Sequence, residues 1–308
     1  MTNASPDDGD AGEAEAPEHD AGEARIARMT GLVLVSTPIG NLGDMTTRGA
    51  AALAGADLVL CEDTRRTGRL LSALGVTTRM QTLHEHNEDG RIAGVLDLLR
   101  AGKSVALVSD AGTPLLSDPG FRLVRAAIAA GLEVGAVPGP NAAVAALVLS
   151  GLPPLPFLSL GFPPPRAAAR QASFARLRAA ERAGLSATLV WHEAPHRLAE
   201  ALADLAAAFG DRPAAVAREL TKRFEEVRRD TLGALTAHYA AAEARGEVTL
   251  VVGPPPEEGP ADAATLDAAL RAALAGGSVK DAAASVAAAL GLPRKVVYAR
   301  ALALAGEV

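Results

Sequence analysis

Ten residues, Val105 to Pro114, hold the densest chemical signal in this chain. A strand-like run, Val105–Ser109, leads straight into Asp110, Ala111, Gly112, Thr113 and Pro114. A buried strand that ends in a small-residue turn with one acid sets backbone amides and a carboxylate at its carboxyl end, where open α/β sheets bind nucleotide-like ligands. Gly112 lets a ligand come close, and Asp110 can accept its hydrogen bonds. Val137-Pro138-Gly139-Pro140-Asn141-Ala142 is a second such end, a sharp turn in which Asn141 caps a helix of small residues. Thr37-Pro38-Ile39-Gly40-Asn41-Leu42-Gly43-Asp44 is a third, but it lacks the G-x-G-x-x-G spacing, and Glu62 and Asp63 do not replace the single ribose-binding acid. A dinucleotide fold is therefore disfavoured. In the second half, Arg218-Glu219-Leu220-Thr221-Lys222 ends a strand and Gly246-Glu247-Val248-Thr249 begins one. Polar strand ends from both halves imply a shared cleft.

Two histidine clusters invite a metal. His192-Glu193-Ala194-Pro195-His196 matches H-E-x-x-H letter for letter. Zinc binding needs both histidines on one continuous helix, whereas Thr188–Trp191 reads as a strand and Pro195 starts the helix after it. His192 and Glu193 belong instead at a strand end beside a ligand. His84-Glu85-His86-Asn87 follows another strand and reads as a solvated or RNA-facing loop. Cys61-Glu62-Asp63-Thr64-Arg65-Arg66 mixes acids with guanidinium groups, as a salt-bridged loop or the rim of an active site.

The elements that position these residues alternate. Strands are expected at Leu32–Ser36, Leu58–Cys61, Met80–Leu83, Val105–Ser109 and Glu133–Val137, with helices at Thr46–Leu53, Arg91–Ala101, Gly120–Ala130 and Asn141–Leu149. Such alternation predicts a largely parallel sheet. After the punctuation of Gly151 to Pro156 a second alternating region follows. Its expected strands are Phe157–Gly161, Thr188–Trp191, Ala214–Arg218, Glu225–Arg229 and Val248–Val252, and its helices Ala167–Arg182, Pro195–Phe209 and Ala234–Ala244. From about Ala261 the chain is Ala-rich and helical, with Ser278 capping a helix to Leu290, Gly291 stopping it and Pro293 opening the next. Lys280, Arg294, Lys295 and Arg300 give this helix-turn-helix pattern a basic face, read either as solvated charge or as nucleic-acid contact.

The 308 residues suffice for two domains, and with only 3% aromatic residues the cores must be built from Ala, Val and Leu. A single cysteine, Cys61, excludes an internal disulfide and a multi-cysteine zinc site, and fits a cytosolic setting. The net charge of −6 is uneven: residues 1–24 hold eight acids and no Lys or Arg, and the remainder carries 30 bases against 28 acids. That leader, 1–28, reads as a disordered acidic tail without the features of a signal peptide. No apolar run reaches membrane-spanning length.

Taken together, STPIGNLGDMTTR (36–48), CEDTRRTGRLL (61–71), LHEHNE (83–88), SDAGTPLLSDPG (109–120), VPGPNA (137–142), GFPP (161–164), HEAPHR (192–197), ARELTK (217–222) and GEVTLVV (246–252) resemble the tetrapyrrole methylase superfamily, and within it the branch that methylates ribosomal RNA. The resemblance implies two α/β domains, 29–150 and 156–254, with an S-adenosylmethionine cleft between them, plus a small helical domain at 261–308. It implies a homodimer that methylates the ribose 2′-oxygen of a cytidine in the decoding region of 16S rRNA. The superfamily's cofactor positions fall on Pro38, Asp110, Gly112, Thr113, Asn141, Ala142, His192, Arg218 and Thr249. Asp110-Ala111-Gly112 replaces the GDP-type turn of many members, which argues against a porphyrin substrate.

Displacement at an activated methyl group needs alignment and exclusion of water, and a general base can take the hydroxyl proton. Candidates for that base are Glu62, Asp63, His86 and Asp118. Arg65, Arg66, Arg69 and the basic residues Lys280, Arg294 and Lys295 are candidate phosphate contacts. Two other functions fit the same residues: methylation of a porphyrinoid macrocycle, and a non-catalytic RNA-binding assembly factor with a vestigial cleft. The first predicts indifference to ribosomal subunits, the second subunit binding without methyl transfer.

Overall fold

Alternation along each strand builds the first half. In the computed structural model, which describes residues 30–256, 263–290 and 292–306, five strands are arranged in the order β3-β2-β4-β1-β5, all parallel. They are β1 (Gly31–Val35), β2 (Leu58–Cys61), β3 (Met80–Thr82), β4 (Ser104–Leu107) and β5 (Val134–Val137). Val33, Val35, Val59, Cys61 and Ala106 point to one face, under α1 (Thr47–Gly55) and α2 (Thr64–Ala73). Leu32, Leu58, Leu60, Val105 and Leu107 point to the other, under α3 (Glu88–Arg100) and α4 (Phe121–Ala129). A parallel sheet covered on both faces puts every strand's carboxyl end on one edge. All the chemical segments of the first half gather there.

The second sheet is different. Its strands are β6 (Phe157–Ser159), β7 (Thr188–Glu193), β8 (Pro213–Arg218), β9 (Glu226–Thr231) and β10 (Val248–Val252), in the order β6-β7-β10-β8-β9. Only β6 and β7 are parallel; β10 runs against both β7 and β8, and β8 against β9. Helical alternation thus predicts the elements but not their directions. The β8–β9 connection, residues 219–225, is too short for a parallel crossover. The helix α7 (Leu198–Phe209) joins β7 to β8, yet β10 is inserted between them. One face of this sheet packs under α6 (Ala167–Arg182), α7 and α8 (Leu232–Ala241) through Phe174, Trp191, Leu205, Val216 and Leu235.

The other face is covered by α5 (Ala142–Ser150), the last helix of the first half. Ala143, Ala146 and Leu147 of α5 pack with Val190, Ala215, Ala217 and Val251, and Ile39 from the turn after β1 joins them. The described residues through Pro254 accordingly form one compact unit, and those from Pro255 form a second.

That second unit has α9 (Ala263–Leu274), α10 (Val279–Leu290) and α11 (Arg294–Ala305) around a small core of Leu270, Ala283, Val286, Val297 and Ala301. Ser278 caps α10 as expected, accepting from the Asp281 amide at 3.2 Å. Arg300 is not part of an open basic face, because its Nε donates to Asp267 at 2.6 Å. The acidic leader, the stretch at Ala261 and Gly291 lie outside the described residues.

All ten expected strands form within two residues of their expected ends. The helix α2 was not expected: Cys61 to Arg66 reads as a loop, whereas Thr64 opens three turns of helix. Its polar face and the central Gly68 mask the pattern, but Asp63 as cap and Thr67 and Leu71 buried one turn apart are its signals. Among the described residues no helix is long and apolar enough to cross a membrane, and no cluster of His, Cys, Asp and Glu is able to hold a metal.

Candidate active site

The ends of β1, β4 and β5 are laced together before any ligand is considered. The Thr37 amide donates to Gly112 O (2.9 Å) and the Gly112 amide to Thr37 O (3.0 Å), folding the 110–113 turn back over β1. Gly112 has φ +80°, and an added Cβ would meet Ile39 at 3.3 Å, so backbone conformation and crowding both require glycine there. Its amide is engaged by Thr37 rather than offered to a ligand. The Thr113 hydroxyl donates to Pro140 O (3.3 Å) and accepts from Ser36 (3.4 Å) and from Asn141 Nδ2 (3.4 Å). Asn141 Oδ1 in turn caps α5 through the Val144 amide (3.1 Å). The remaining amides of that first turn have no partner within the helix and carry its positive end.

These residues open into a cavity of about 390 Å³, whose far wall comes from the second sheet. Asp110, Gly112, Thr113, Asn141 and Ala142 line one side, and His192 and Thr249 the other. His192, near the end of β7, pairs in register with Thr249, near the start of β10, and their side chains meet at 3.2 Å from Nδ1 to Oγ1. Burial lowers the His192 pKa, favouring the neutral ring. Phe162, exposed, stands 5.6 Å from that ring.

Two expected cofactor positions lie elsewhere. Arg218 does not line the cavity: Nε donates to Glu226 (3.1 Å) and Nη1 to Arg245 O (2.9 Å). Along β8, Arg218 is opposite Val248 of β10 on one side and Glu226 of β9 on the other, and its guanidinium is drawn to the Glu226 carboxylate and away from the cavity. Pro38 lines an adjoining cavity of about 210 Å³. Residues that sequence reasoning did not single out include Ile39, Ser117, Phe162 and Glu247, all of which line the main cavity. Three of them lie within or beside the quoted motifs' glycines and prolines, which was the available signal.

The four candidate bases separate cleanly. Asp118 lines the cavity, and burial, followed by the charges of Glu62 and Asp110, raises its pKa to about 6. Glu62 is also raised, by burial and then by Asp110, but does not line the cavity. Asp63 is engaged as the cap of α2 and in a pair with Arg65 (2.7 Å), whose hydrogen bonds hold its pKa at about 2. His86 is exposed and away from the lining. Asp110 sits where strands and helix meet: its Oδ1 accepts from the Asp63 amide (3.1 Å), and its Oδ2 lies 3.5 Å from Arg66 Nε. Arg66 lines the main cavity and Arg69 the adjoining one, whereas Arg65 lines neither. Lys280, Arg294 and Lys295 are exposed on the helical unit.

Among the described residues, four non-glycine residues have a left-handed backbone, and one of them, Ser117, lines the cavity. They are Leu115 and Ser117, in the loop leading to Asp118, and Glu219 and Thr221, in the β8–β9 connection. Such strain concentrates where a ligand-binding loop must hold an unfavoured shape.

The sequence profile described as Tetrapyrrole (Corrin/Porphyrin) Methylases matches residues 31–236, and one described as RsmI C-terminal HTH domain matches 260–305. A Mesorhizobium japonicum protein named Ribosomal RNA small subunit methyltransferase I is 46% identical over 276 residues, 89% of this chain and 92% of its own. Proteins of the same name from Synechocystis and Escherichia coli O157:H7 are 42% and 41% identical over 90% and 88% of this chain, and 99% and 94% of their own. Among solved structures, the methyltransferase CobJ superposes with a TM-score of 0.55 at 19% identity, covering 73% of this chain and 95% of its own. Diphthine synthase gives 0.53 at 16%, covering 72% and 90%. At those identities the superpositions speak to the fold alone, and they agree with the paired sheets described above. Fold, motif order and sequence agreement along most of its length converge: this chain belongs to the tetrapyrrole (corrin/porphyrin) methylase family.

Proposed function

We propose that this enzyme is an S-adenosylmethionine-dependent methyltransferase of small-subunit ribosomal RNA, acting on the 2′-oxygen of a cytidine ribose. The observation that carries the reading is agreement at 41–46% identity, along about nine-tenths of the chain, with proteins named for that RNA. A ribosomal substrate supports a cytoplasmic location, and the family resemblance supports a homodimer.

The cavity suits the cofactor. Its volume lies within the roughly 300–1,000 Å³ of small-molecule sites. Asp110, Asp118 and Glu247 line it with carboxylates, which attract a sulfonium cation and repel a polycarboxylate macrocycle. Bound there, S-adenosylmethionine supplies a methyl group on positively charged sulfur. Asn141, Thr113 and the first turn of α5 would hold its polar groups from one side, and His192 and Thr249 from the other. Asp118, ionised above about pH 6, takes the proton that the ribose hydroxyl loses as its oxygen is methylated.

The test incubates the protein and labelled cofactor with small subunits from a strain lacking this gene, then identifies the modified nucleoside by mass spectrometry. A 2′-O-methylcytidine is expected. Label on a base, or on a porphyrinoid instead of RNA, would overturn the assignment, and subunit binding without any transfer would favour an assembly factor.

A further inference from the structure

The smaller cavity has no role in the site just described. It adjoins the main one, because Arg66 and Asp110 line both. Its floor and walls are Pro38, Leu42 and Leu70, and Arg69 completes it. Arg66 and Arg69 are three residues apart on α2 and therefore share a face. Arg69 has no ion-pair partner among the described residues, and Arg66 has only the long contact to Asp110. Two guanidinium groups facing one recess, one of them without a counter-ion, fit the planar oxygens of a phosphodiester. Arg65, next in sequence, is occupied by Asp63 and lies outside the recess.

The opposite wall is fixed in place. The Asn41 side chain accepts from the Gly43 amide at 2.9 Å and holds the short turn that carries Leu42, which is 56% exposed. Beneath it Gly40 is covered by the β8–β9 connection so closely that an added Cβ would stand 2.4 Å from Lys222 Cγ. An exposed leucine on a braced turn offers an apolar surface to a sugar or base. At about 210 Å³ the recess is too small to enclose a macrocycle.

We infer that this recess seats the acceptor nucleotide, with Arg66 and Arg69 on its backbone phosphate and Leu42 and Pro38 against its sugar and base, so that the ribose hydroxyl reaches the main cavity past Asp110. The inference rests on the RNA-methylating function proposed above. It moves Pro38 from the cofactor to the acceptor.

The full-length protein tests it, with undermethylated small subunits as substrate and calorimetry for cofactor affinity. Arg69→Gln and Leu42→Asn are each expected to raise KM for subunits about tenfold while cofactor Kd stays within twofold of wild type, which also certifies folding. For Arg69→Gln the slope of log affinity for subunits against log salt should fall by about 0.7, the value for one phosphate contact to a single strand. Arg100→Gln, which removes an exposed arginine paired with Asp97 on α3, should change neither quantity. Wild-type KM and salt slope in both site variants would overturn the inference, as would a loss of cofactor affinity that matches the rise in KM. Failure of the wild-type protein to methylate subunits is a separate result, and it would remove the functional reading together with this recess.

Discussion

The two sheets contribute to one cavity by different rules. In the parallel sheet every strand ends on the same edge, so the residues that matter follow the strands: Asp110 after β4, Asn141 after β5, the 37–44 turn after β1. In the antiparallel sheet neighbouring strands reach the cavity at opposite ends, so His192 comes late in β7 and Thr249 early in β10. Loop position selects residues in the first case. Strand direction selects them in the second, where the end of β7 and the start of β10 reach the cavity while Arg218 of β8 is turned to Glu226.

The largest expected effect tests the loop rule. Asp118→Asn should lower kcat by about 100-fold or more, the scale of general-base catalysis, and should abolish the fall in rate below pH 6 that the raised pKa predicts. Equal kcat and an unchanged acid limb would dismiss Asp118 as the base. The same variant has a stability signature. An acid whose folded pKa is raised destabilises the fold above that pKa, and the penalty fades as pH falls from about 6 towards the unfolded value of 3.8. Asp118→Asn should therefore melt above wild type at pH 8, with the gap closing towards pH 4.

Next in size, Asp110→Ala should weaken cofactor binding by tens of fold, because a charged hydrogen-bond partner is worth about 1.5–3 kcal/mol. Calorimetry checks it, and wild-type affinity would take Asp110 out of the site. The rule for the second sheet is tested by a smaller pair of effects. Thr249→Val should raise cofactor Kd about fivefold to tenfold, in keeping with one neutral hydrogen bond of roughly 1 kcal/mol. Arg218→Gln should leave Kd within twofold and lower only the melting temperature, through its lost pair with Glu226. If Arg218→Gln proves the more damaging to Kd, the ends of β7 and β10 are not what the second sheet contributes to the cavity.

Much of this was legible beforehand, for reasons that differ by element. Strands such as Leu58–Cys61 and Val248–Val252 are short apolar runs between turn residues, and a fully buried strand leaves that trace. Asp110, Thr113 and Asn141 could be placed because turns after parallel strands have a fixed address. The directions in the second sheet could not, since they depend on which strand inserts between β7 and β8, and that is set by long-range packing. The setting of Arg218 could not be read for the same reason: its partner Glu226 is on β9, and the pairing of β8 with β9 is a property of the folded sheet. His86 and Glu62 looked equal to Asp118 because burial, which separates them, is not written locally.

The helix α5 has a consequence of its own. It is tethered by a short turn to the first sheet and embedded by Ala143, Ala146 and Leu147 in the second. Swinging the halves apart would strip those side chains into water, so the walls behave as a single casting and not as jaws. A cleft built this way admits its guests by their own threading, and the burden of fitting falls on them.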